Sequence, residues 1–233
     1  MSFEFTNDYA VAQKWAAYDS KVSELFDLYC PAHLFTHAAR SVDSFSFTID
    51  DNKSFGMGFG PAPYWDPTWA QCSMNRHAHL QIPANFDVDG DWDVYAINTA
   101  PFSNEKAVEE ATDDEEIDAF INEYAPHSSV HAGDPESLFW GSIRSPIGEL
   151  LAVGTIVRWR SGHHMFASIC SAPHVRGQGV GTQLIKSMLS TVHARGVMRI
   201  GLGVFAGNAP AKALYEKVGF ELLQEFRAFN QSE

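Results

Sequence analysis

Glycine recurs at every second position in one short stretch of the sequence, where a strand-like segment runs into a helix-like one. Gly177, Gly179 and Gly181 follow Arg176 and lead into the amphipathic segment 182–189. Glycine lets the backbone approach a ligand closely, successive N–H groups can point into one concavity, and the start of a helix adds positive potential. The stretch therefore predicts a turn that binds a pyrophosphate or another polyanion, with the Arg176 guanidinium as an additional positive charge.

A glycine-rich turn is a weak signal when it stands alone, because glycines also form ordinary tight turns. No Gly-Lys-Ser or Gly-Lys-Thr is present, which argues against a nucleotide P-loop. The spacing Gly-x-Gly-x-Gly also differs from the Gly-x-Gly-x-x-Gly of a dinucleotide-binding fold. From the turn alone, a structural α/β domain that uses the glycines only as turns stays open as an alternative.

Two motifs in the last third of the chain resemble the signatures of the GNAT family of N-acetyltransferases. The stretch Pro173-His174-Val175-Arg176-Gly177-Gln178-Gly179-Val180-Gly181 is similar to the acetyl-CoA signature of that family, Pro-x-x-Arg-Gly-x-Gly-x-Gly. Downstream, residues 200–220 (IGLGVFAGNAPAKALYEKVGF) resemble its strand, its Asn-x-x-Ala and its Leu-Tyr-x-x-x-Gly-Phe helix. The resemblance covers about residues 138–229 and extends to Trp92, whereas residues 1–91 are unmatched.

The resemblance implies acetyl-CoA as a co-substrate, with no metal, and it assigns residues to its binding. Ile169 and Ser171 on the preceding strand would pair with the pantetheine arm, and Asn208 and Ala211 would contact the cofactor. Asn208 is also a good helix N-cap, so capping alone is an alternative role. The backbone of the turn would bind the pyrophosphate through Arg176, Gly177, Gln178, Gly179, Val180, Gly181 and Thr182.

Tyr215 is the candidate catalytic residue, because the resemblance implies a position near the cofactor sulfur. Direct acyl transfer needs a neutral amine to attack the thioester and an acid to protonate the departing thiolate. A phenol with a pKa of about 10 can donate to a thiolate whose conjugate acid has a pKa of about 8.5. We therefore expect an N-acetyltransferase that moves an acetyl group to a primary amine.

The sequence does not identify the general base. Many relatives use a glutamate on the strands beside the cofactor, or a chain of waters, but residues 165–170 contain no carboxylate. Cys170 has no base beside it in the sequence, so we expect an unreactive buried thiol. The missing carboxylate favours a rival hypothesis, a non-catalytic acyl-CoA-binding or regulatory module. Five other side chains are candidate bases: Asp134, Glu136, Glu149, His163 and His164.

The acidic residues are unevenly distributed along the chain. The net charge is −13, made up of −7 over residues 1–91, −11 over residues 92–136 and +5 over residues 137–233. This balance argues against nucleic acid or an anionic membrane as the main partner. The basic part contains the glycine-rich turn, as a polyanion site requires, although a chance asymmetry is an alternative. The acidic segment 105–123 favours a cationic acceptor such as an amine, a polyamine-like molecule or a lysine-rich peptide.

Composition predicts a folded protein of the cytoplasm without a disulfide or metal framework. The chain is 45% apolar, with no apolar run of the roughly 18 residues that a membrane span needs and no signal-peptide pattern at its start. Cys30, Cys72 and Cys170 are too few and too scattered for a disulfide scaffold or a zinc ribbon. His77-x-His79, on a segment predicted as a strand, lacks the further ligands of a metal site.

Hydrophobic periodicity predicts an α+β N-terminal part and an α/β C-terminal part. In the first, we expect one helix over residues 8–29, a hairpin over 45–49 and 55–59, and an irregular segment 60–91. In the second, we expect strands at 92–98, 138–143, 150–159, 165–171, 198–205 and 220–229, and helices at 104–124 with a break at 112–114, at 179–194 and at 209–217.

These expectations combine into a fold class and two domains. Residues 92–233 would form a GNAT-like α/β fold, with a central mixed twisted sheet flanked by helices. Residues 1–91 would form an α+β extension. This extension would be a degenerate partner domain that either covers the acceptor groove or builds a homodimer. Residues 125–136, which join the acidic helical region to the strands, would either line the acceptor site or form a capped loop.

Overall fold

The computed structural model describes residues 2–102 and 108–232. These residues form two units, each built from more than one stretch of chain. The first contains the described residues of Met1–Val94, Val204–Asn208 and Leu222–Glu233, and the second contains those of Tyr95–Gly203 and Ala209–Glu221. The division into domains at residue 91 stays a prediction.

The N-terminal segment forms two helices, where the periodicity predicted a single helix over residues 8–29. Helix α1 spans Tyr9–Ala16 and helix α2 spans Ser20–Tyr29. The prediction was wrong because Asp19 interrupts the helix: its backbone is extended, and its carboxylate accepts hydrogen bonds from two N–H groups of the following turn. An aspartate in this role begins a new helix rather than continuing the old one.

The first unit contains a sheet with the strand order β1-β2-β3-β4-β5-β12. Neighbouring strands run antiparallel except β4 and β5, which are parallel. The predicted hairpin is confirmed as β3 and β4, but the supposedly irregular segment 60–91 contains β5 and the start of β6. The strands of this order are β1 Glu4–Thr6, β2 Phe35–Arg40, β3 Phe45–Asp50, β4 Ser54–Phe59, β5 Gln71–Asn75 and β12 Glu221–Gln231. Strand β6, Phe86–Asn98, has its residues up to Val94 in the first unit and the rest in the second.

Aromatic side chains and one buried ion pair hold this unit together. Asp93 is fully buried and lies 2.9 Å from the Arg76 guanidinium, which compensates its charge. Strand β12 is fastened by the Arg227 guanidinium, which donates two hydrogen bonds to Asp91 at 2.7 and 2.9 Å. The ring contacts of the core involve Phe26, Phe45, Phe47, Phe59 and Phe226.

The two histidines of His77-x-His79 lie in the turn after β5, not on a strand as predicted. The Asn75 side chain accepts a hydrogen bond from the His77 N–H, which bends the chain, and His77 Nε2 lies 2.8 Å from the Glu225 carboxylate. In the part of the chain that the structure describes, no group of three or more His, Cys, Asp or Glu side chains is arranged to hold a metal ion.

The second unit contains the strand order β11-β10-β9-β8-β7, antiparallel from β7 to β10 and parallel between β10 and β11. The predicted alternation of helix and strand at the C-terminal end is confirmed. The elements are β7 Glu109–Ala111, α3 Asp114–Tyr124, β8 Ser137–Arg144, β9 Leu150–Arg158, β10 His164–Ser171, α4 Val180–Ala194, β11 Arg199–Phe205 and α5 Ala209–Val218.

The acidic segment before residue 124 is only partly helical, which corrects the predicted helix over 104–124. Residues 103–107 lie outside the described residues, and Glu109–Ala111 form strand β7, which pairs with β8 and buries Ala111. Helix α3 begins after Asp113, whose carboxylate accepts a hydrogen bond from the Glu116 N–H at 3.0 Å. The break at 112–114 is therefore confirmed as the start of a helix.

Candidate active site

Strands β10 and β11 pair at one end and leave the edge of β10 accessible at the other. Their parallel register joins Met165 to Gly201 and Phe166 to Leu202, and both β10 residues of these pairs are buried. The five residues 167–171 are partly exposed. A strand with a neighbour on each side in an α/β sheet is normally buried throughout. The backbone of β10 after residue 166 is therefore available to an extended ligand.

A bulge in β10 marks the point where the strand becomes accessible. The register against β9 shifts between Ala167 and Cys170, and Ser168 adopts a left-handed backbone with φ 50°. A non-glycine residue with this φ is held there against a conformational cost, and such residues concentrate at functional sites. The Ser168 hydroxyl donates a 2.7 Å hydrogen bond to the Val130 carbonyl, which ties the bulge to the segment 125–136.

The glycine-rich turn connects the end of β10 to helix α4. A short 3₁₀ helix, Pro173–Val175, comes first, and Gly177 and Gly179 then take left-handed φ values of 77° and 87°. Gly179 is the N-cap of α4 and provides no side-chain cap, and the first turn of the helix holds no acidic residue. The first N–H groups of a helix have no partner within the helix. This helix start is suited to an anion.

The two polar side chains of the turn are anchored at its ends. Arg176 is exposed, and its Nε donates to the Ser171 carbonyl at 3.3 Å, which holds the guanidinium near the end of β10. The Gln178 side chain donates to the His174 carbonyl at 2.8 Å and closes the turn. Arg176 is thus held beside the end of β10.

Gly181 brings α4 and α5 close together. A Cβ atom at this position would stand 3.0 Å from Leu214 Cδ1, closer than most real contacts of this kind. Val180, Gly181, Thr182 and Ala211 are all partly exposed. The third glycine of the motif therefore has a packing role that the sequence motif did not indicate, and this packing brings Leu214, the neighbour of Tyr215, against the first turn of α4.

Tyr215 is buried on α5, with only 6% of its surface exposed. Its ring contacts those of Tyr95 and Phe220 at centroid distances of 6.3 and 5.7 Å. Burial raises the pKa of Tyr215 to about 12. The phenol consequently carries its proton at neutral and mildly alkaline pH, as a general acid must at the start of a reaction.

The other sequence candidates lie in different surroundings. Burial raises the pKa of the partly exposed Cys170 thiol to about 12, so it is not a ready nucleophile. Burial, with Arg158 and His163 nearby, lowers the pKa of His164 at the start of β10, four residues before the bulge. Asn208 directly precedes α5 and belongs to the first unit, and its contact with a cofactor stays a prediction.

The remaining candidate bases make contacts with neighbouring residues. The Asp134 carboxylate accepts a 2.8 Å hydrogen bond from the Glu136 N–H, and Glu149 pairs with His174 at 3.6 Å. His163 is exposed and its Nδ1 lies 3.3 Å from the Ser161 hydroxyl. These contacts do not bring any of the five candidate bases to the β10 bulge.

Sequence reasoning missed a pair that lies beside the bulge. His131 Nδ1 is 3.3 Å from the Asp118 carboxylate on α3, and the same oxygen accepts a 2.9 Å hydrogen bond from the Ala132 N–H. The two side chains are separated by 12 intervening residues, so no local spacing indicates the pair. The segment 125–136 was singled out as a whole, but His131 was not.

The model for the acetyltransferase (GNAT) family matches residues 92–220 of this chain. The match covers more than half of the chain and contains the bulge, the glycine-rich turn and Tyr215. The chain belongs to the GNAT family of acetyltransferases. The resemblance drawn from the two motifs is therefore confirmed, and so is the expectation of an acyltransferase.

Two curated relatives of this GNAT chain differ in how much of their length is covered. YsnE of Bacillus subtilis, described as an uncharacterized N-acetyltransferase, is 29% identical over an alignment of 116 residues, and the match covers 46% of this chain and 75% of that protein. Mycothiol acetyltransferase of Corynebacterium glutamicum is 43% identical over 49 residues, which make up 21% of this chain and 17% of that enzyme.

A solved structure of a GNAT protein is similar in fold to nearly the whole chain. The GCN5-related N-acetyltransferase of Sphaerobacter thermophilus superposes with a TM-score of 0.58 at 13% identity, covering 98% of this chain and 95% of that one. At this identity the likeness shows the fold alone, and it confirms the predicted fold class. Among the described residues, no helix combines the length and the apolar character that crossing a membrane requires.

Proposed function

We propose that this GNAT chain transfers an acetyl group from acetyl-CoA to a primary amine. The observation that carries the proposal is the glycine-capped start of α4, free of acidic residues in its first turn, beside the accessible edge of β10. The first feature suits the pyrophosphate of CoA and the second suits its extended pantetheine arm. Both lie in the same unit of the protein.

Ile169 and Ser171 would pair with the pantetheine, and residues 176–182 would bind the pyrophosphate. Ala211 on α5 would complete the contacts within this unit. Tyr215 would donate its proton to the CoA sulfur as the C–S bond breaks. Its raised pKa keeps the phenol protonated before the reaction, and its position on α5, one residue after the Gly181 contact of Leu214, supports this role.

We propose a cationic acceptor, although several acidic side chains of the segment 105–123 are already paired. The Arg144 guanidinium binds Glu116, and Arg195 binds Glu110. Among the described residues of this segment, the exposed side chains that can attract a cation include Asp114, Glu115 and Glu123. Preference for neutral or acidic amines in an acceptor screen would reject this part of the proposal.

Release of the CoA thiol from acetyl-CoA, followed with a thiol reagent while amines are added, tests the proposed reaction. We expect amine-dependent release by the wild-type chain and detection of the N-acetyl product by mass spectrometry. Binding of acetyl-CoA without release for any amine would instead support a non-catalytic acyl-CoA-binding module. The absence of a carboxylate from residues 165–170 is the observation that favours this second candidate.

A further inference from the structure

The proposed reaction requires a base, because a primary amine is protonated at neutral pH and cannot attack a thioester in that form. An alkylammonium group such as that of lysine has a pKa of about 10.4. Strand β10 offers no carboxylate for this task. The segment 125–136 contacts the bulge of β10 through the hydrogen bond between Ser168 and Val130, so its side chains are the candidates for this task.

The segment 125–136 is fastened to the bulge at its centre. The Val130 carbonyl accepts the hydrogen bond of the Ser168 hydroxyl at 2.7 Å. Val130 and Ala132 also pack against an apolar cluster that Cys170 and Val180 border as well. His131 lies between these two anchored residues, so its backbone is held close to the bulge of β10.

Asp118 fixes the orientation of the His131 ring. One carboxylate oxygen of Asp118 accepts both the Ala132 N–H at 2.9 Å and a hydrogen bond from His131 Nδ1 at 3.3 Å. An ionised carboxylate only accepts hydrogen bonds, so a neutral His131 must carry its proton on Nδ1. Its Nε2 then presents a lone pair. The imidazole is 44% exposed and the carboxylate 39%, so a substrate can reach the ring.

We propose that His131 is the general base that deprotonates the acceptor amine, and that Asp118 is the residue that positions it. This inference rests on the proposed acetyl transfer. An imidazole suits the task because one ring nitrogen can accept a proton while the other keeps its hydrogen bond to the carboxylate. The pair is a histidine oriented by a carboxylate, an arrangement that general-base catalysis uses repeatedly.

The proton and electron balance of the reaction is complete with these residues. His131 Nε2 takes one proton from the ammonium group and later releases it to solvent. The freed nitrogen lone pair forms the N–C bond to the acetyl carbonyl, and the C–S bond breaks with its electron pair on sulfur. Tyr215 protonates that sulfur, and the second proton of the attacking nitrogen restores the phenol. The products are the N-acetylamine, CoA thiol and one proton.

The proposal can be tested with His131→Gln, Asp118→Asn and the control His127→Gln. His127 is an exposed histidine of the same segment. The kcat is measured with an alkylamine acceptor and with an amine whose pKa lies below the assay pH, together with the dissociation constant of acetyl-CoA. A further variant, His131→Ala, is assayed with and without added imidazole.

We expect His131→Gln to lower kcat for the alkylamine by about 100-fold or more, within the usual range of general-base catalysis. The loss should be much smaller for the weakly basic amine, which is already neutral, and acetyl-CoA affinity should be unchanged. Imidazole should restore part of the activity of His131→Ala. Asp118→Asn should show a smaller loss with the same dependence on acceptor, and His127→Gln should behave as wild type.

A purely structural role would not produce this pattern. Wild-type kcat in His131→Gln, or an equal loss for both acceptors with no imidazole rescue, would overturn the assignment of the base alone. A wild-type chain that transfers no acetyl group to any amine would overturn the proposed function as well, so the two failures are distinguishable.

Discussion

Tyr215 combines two properties that its substitution can separate. The hydroxyl would supply a proton, while the ring packs against Tyr95 and Phe220. Tyr215→Phe keeps the ring, so we expect a folded protein that binds acetyl-CoA normally but has a kcat about 10² to 10⁴-fold lower. Circular dichroism and steady-state kinetics measure the two parts. Turnover at the wild-type rate would reject the assigned role.

The pH dependence of this loss follows from the raised pKa of Tyr215. Because burial raises that pKa to about 12, the folded protein keeps the phenol protonated below that pH. Deprotonation of Tyr215 should therefore not limit activity between pH 7 and pH 9. We expect the ratio of wild-type to Tyr215→Phe kcat to be constant over this range. A ratio that falls steeply towards pH 9 would mean that the phenol ionises there.

Substitution of Gly179 tests the role of the start of α4, because this glycine has a left-handed backbone conformation. Its φ is 87°, and a Cβ atom would meet no atom within 4 Å, so Gly179→Ala adds backbone strain of about 1–2 kcal/mol without a collision. Gly196, after the end of α4, has a φ of 85° and equally open space. We expect both alanine variants to lose similar stability in thermal unfolding.

Only Gly179→Ala should also weaken the binding of acetyl-CoA in titration calorimetry, because only Gly179 lies at the proposed pyrophosphate site. Equal affinities of the two variants for acetyl-CoA would contradict the assignment of the turn.

At the scale of elements, Ser168 joins the bulge of β10 to the segment 125–136. Ser168→Ala removes the hydrogen bond to Val130 and keeps a strained φ, whereas Ser168→Gly removes the bond and relieves the strain. A lost hydrogen bond costs about 1 kcal/mol and left-handed strain about 1–2 kcal/mol. We expect the glycine variant to be more stable than the alanine variant in denaturant unfolding.

Both Ser168 variants should lower kcat, because each releases the segment that carries His131. Equal stabilities would show that the backbone at residue 168 is not strained. An unchanged kcat in both variants would show that the anchor does not serve the reaction.

Sequence patterns predicted the C-terminal elements well because each has a strong period and clear ends. Gly179 and Gly219 bound helices α4 and α5, and the motif spacing located the turn. The same patterns failed where an interaction is not local. In the sequence, Asp19 fits the polar face of one long helix, and only the structure shows that it caps a second helix. The three residues of β7 form a strand because they pair with β8.

The candidate site was also predicted only where its residues follow a local spacing in the sequence. The glycine-rich turn and Tyr215 could be named because their spacing along the chain is regular. The bulge could not, since residues 165–170 contain no glycine or proline to mark it. The partnership of His131 with Asp118 could not either, because α3 and the following segment meet only in the folded protein.

At the scale of the whole molecule, the parallel strands β4 and β5 of the first unit can be compared with β10 and β11 of the second. The two pairs differ in the number of paired positions. In the first unit, β4 and β5 stay paired over four positions from Phe55 to Gly58. Trp69 covers Gly56 so closely that a Cβ atom there would stand 2.0 Å from the indole. In the second unit, β10 and β11 have only two paired positions. Strands β4 and β5 are thus paired, and covered by Trp69, where β10 and β11 are not paired.

We therefore expect one acetyl-CoA per chain, bound by the second unit, with residues 1–91 as a partner domain that has no CoA site of its own. Titration calorimetry with acetyl-CoA measures this number directly. A stoichiometry of two would contradict it.

The most direct test of the acetyl-CoA site is thermal unfolding of the wild-type chain with and without acetyl-CoA, with AMP as the control. A ligand at 100 times its dissociation constant stabilises the folded state by about 2.7 kcal/mol, which corresponds to a rise in Tm of roughly 5–10 °C for a chain of this size. We predict this rise with acetyl-CoA and not with AMP. No change in Tm at millimolar acetyl-CoA would contradict the proposed site.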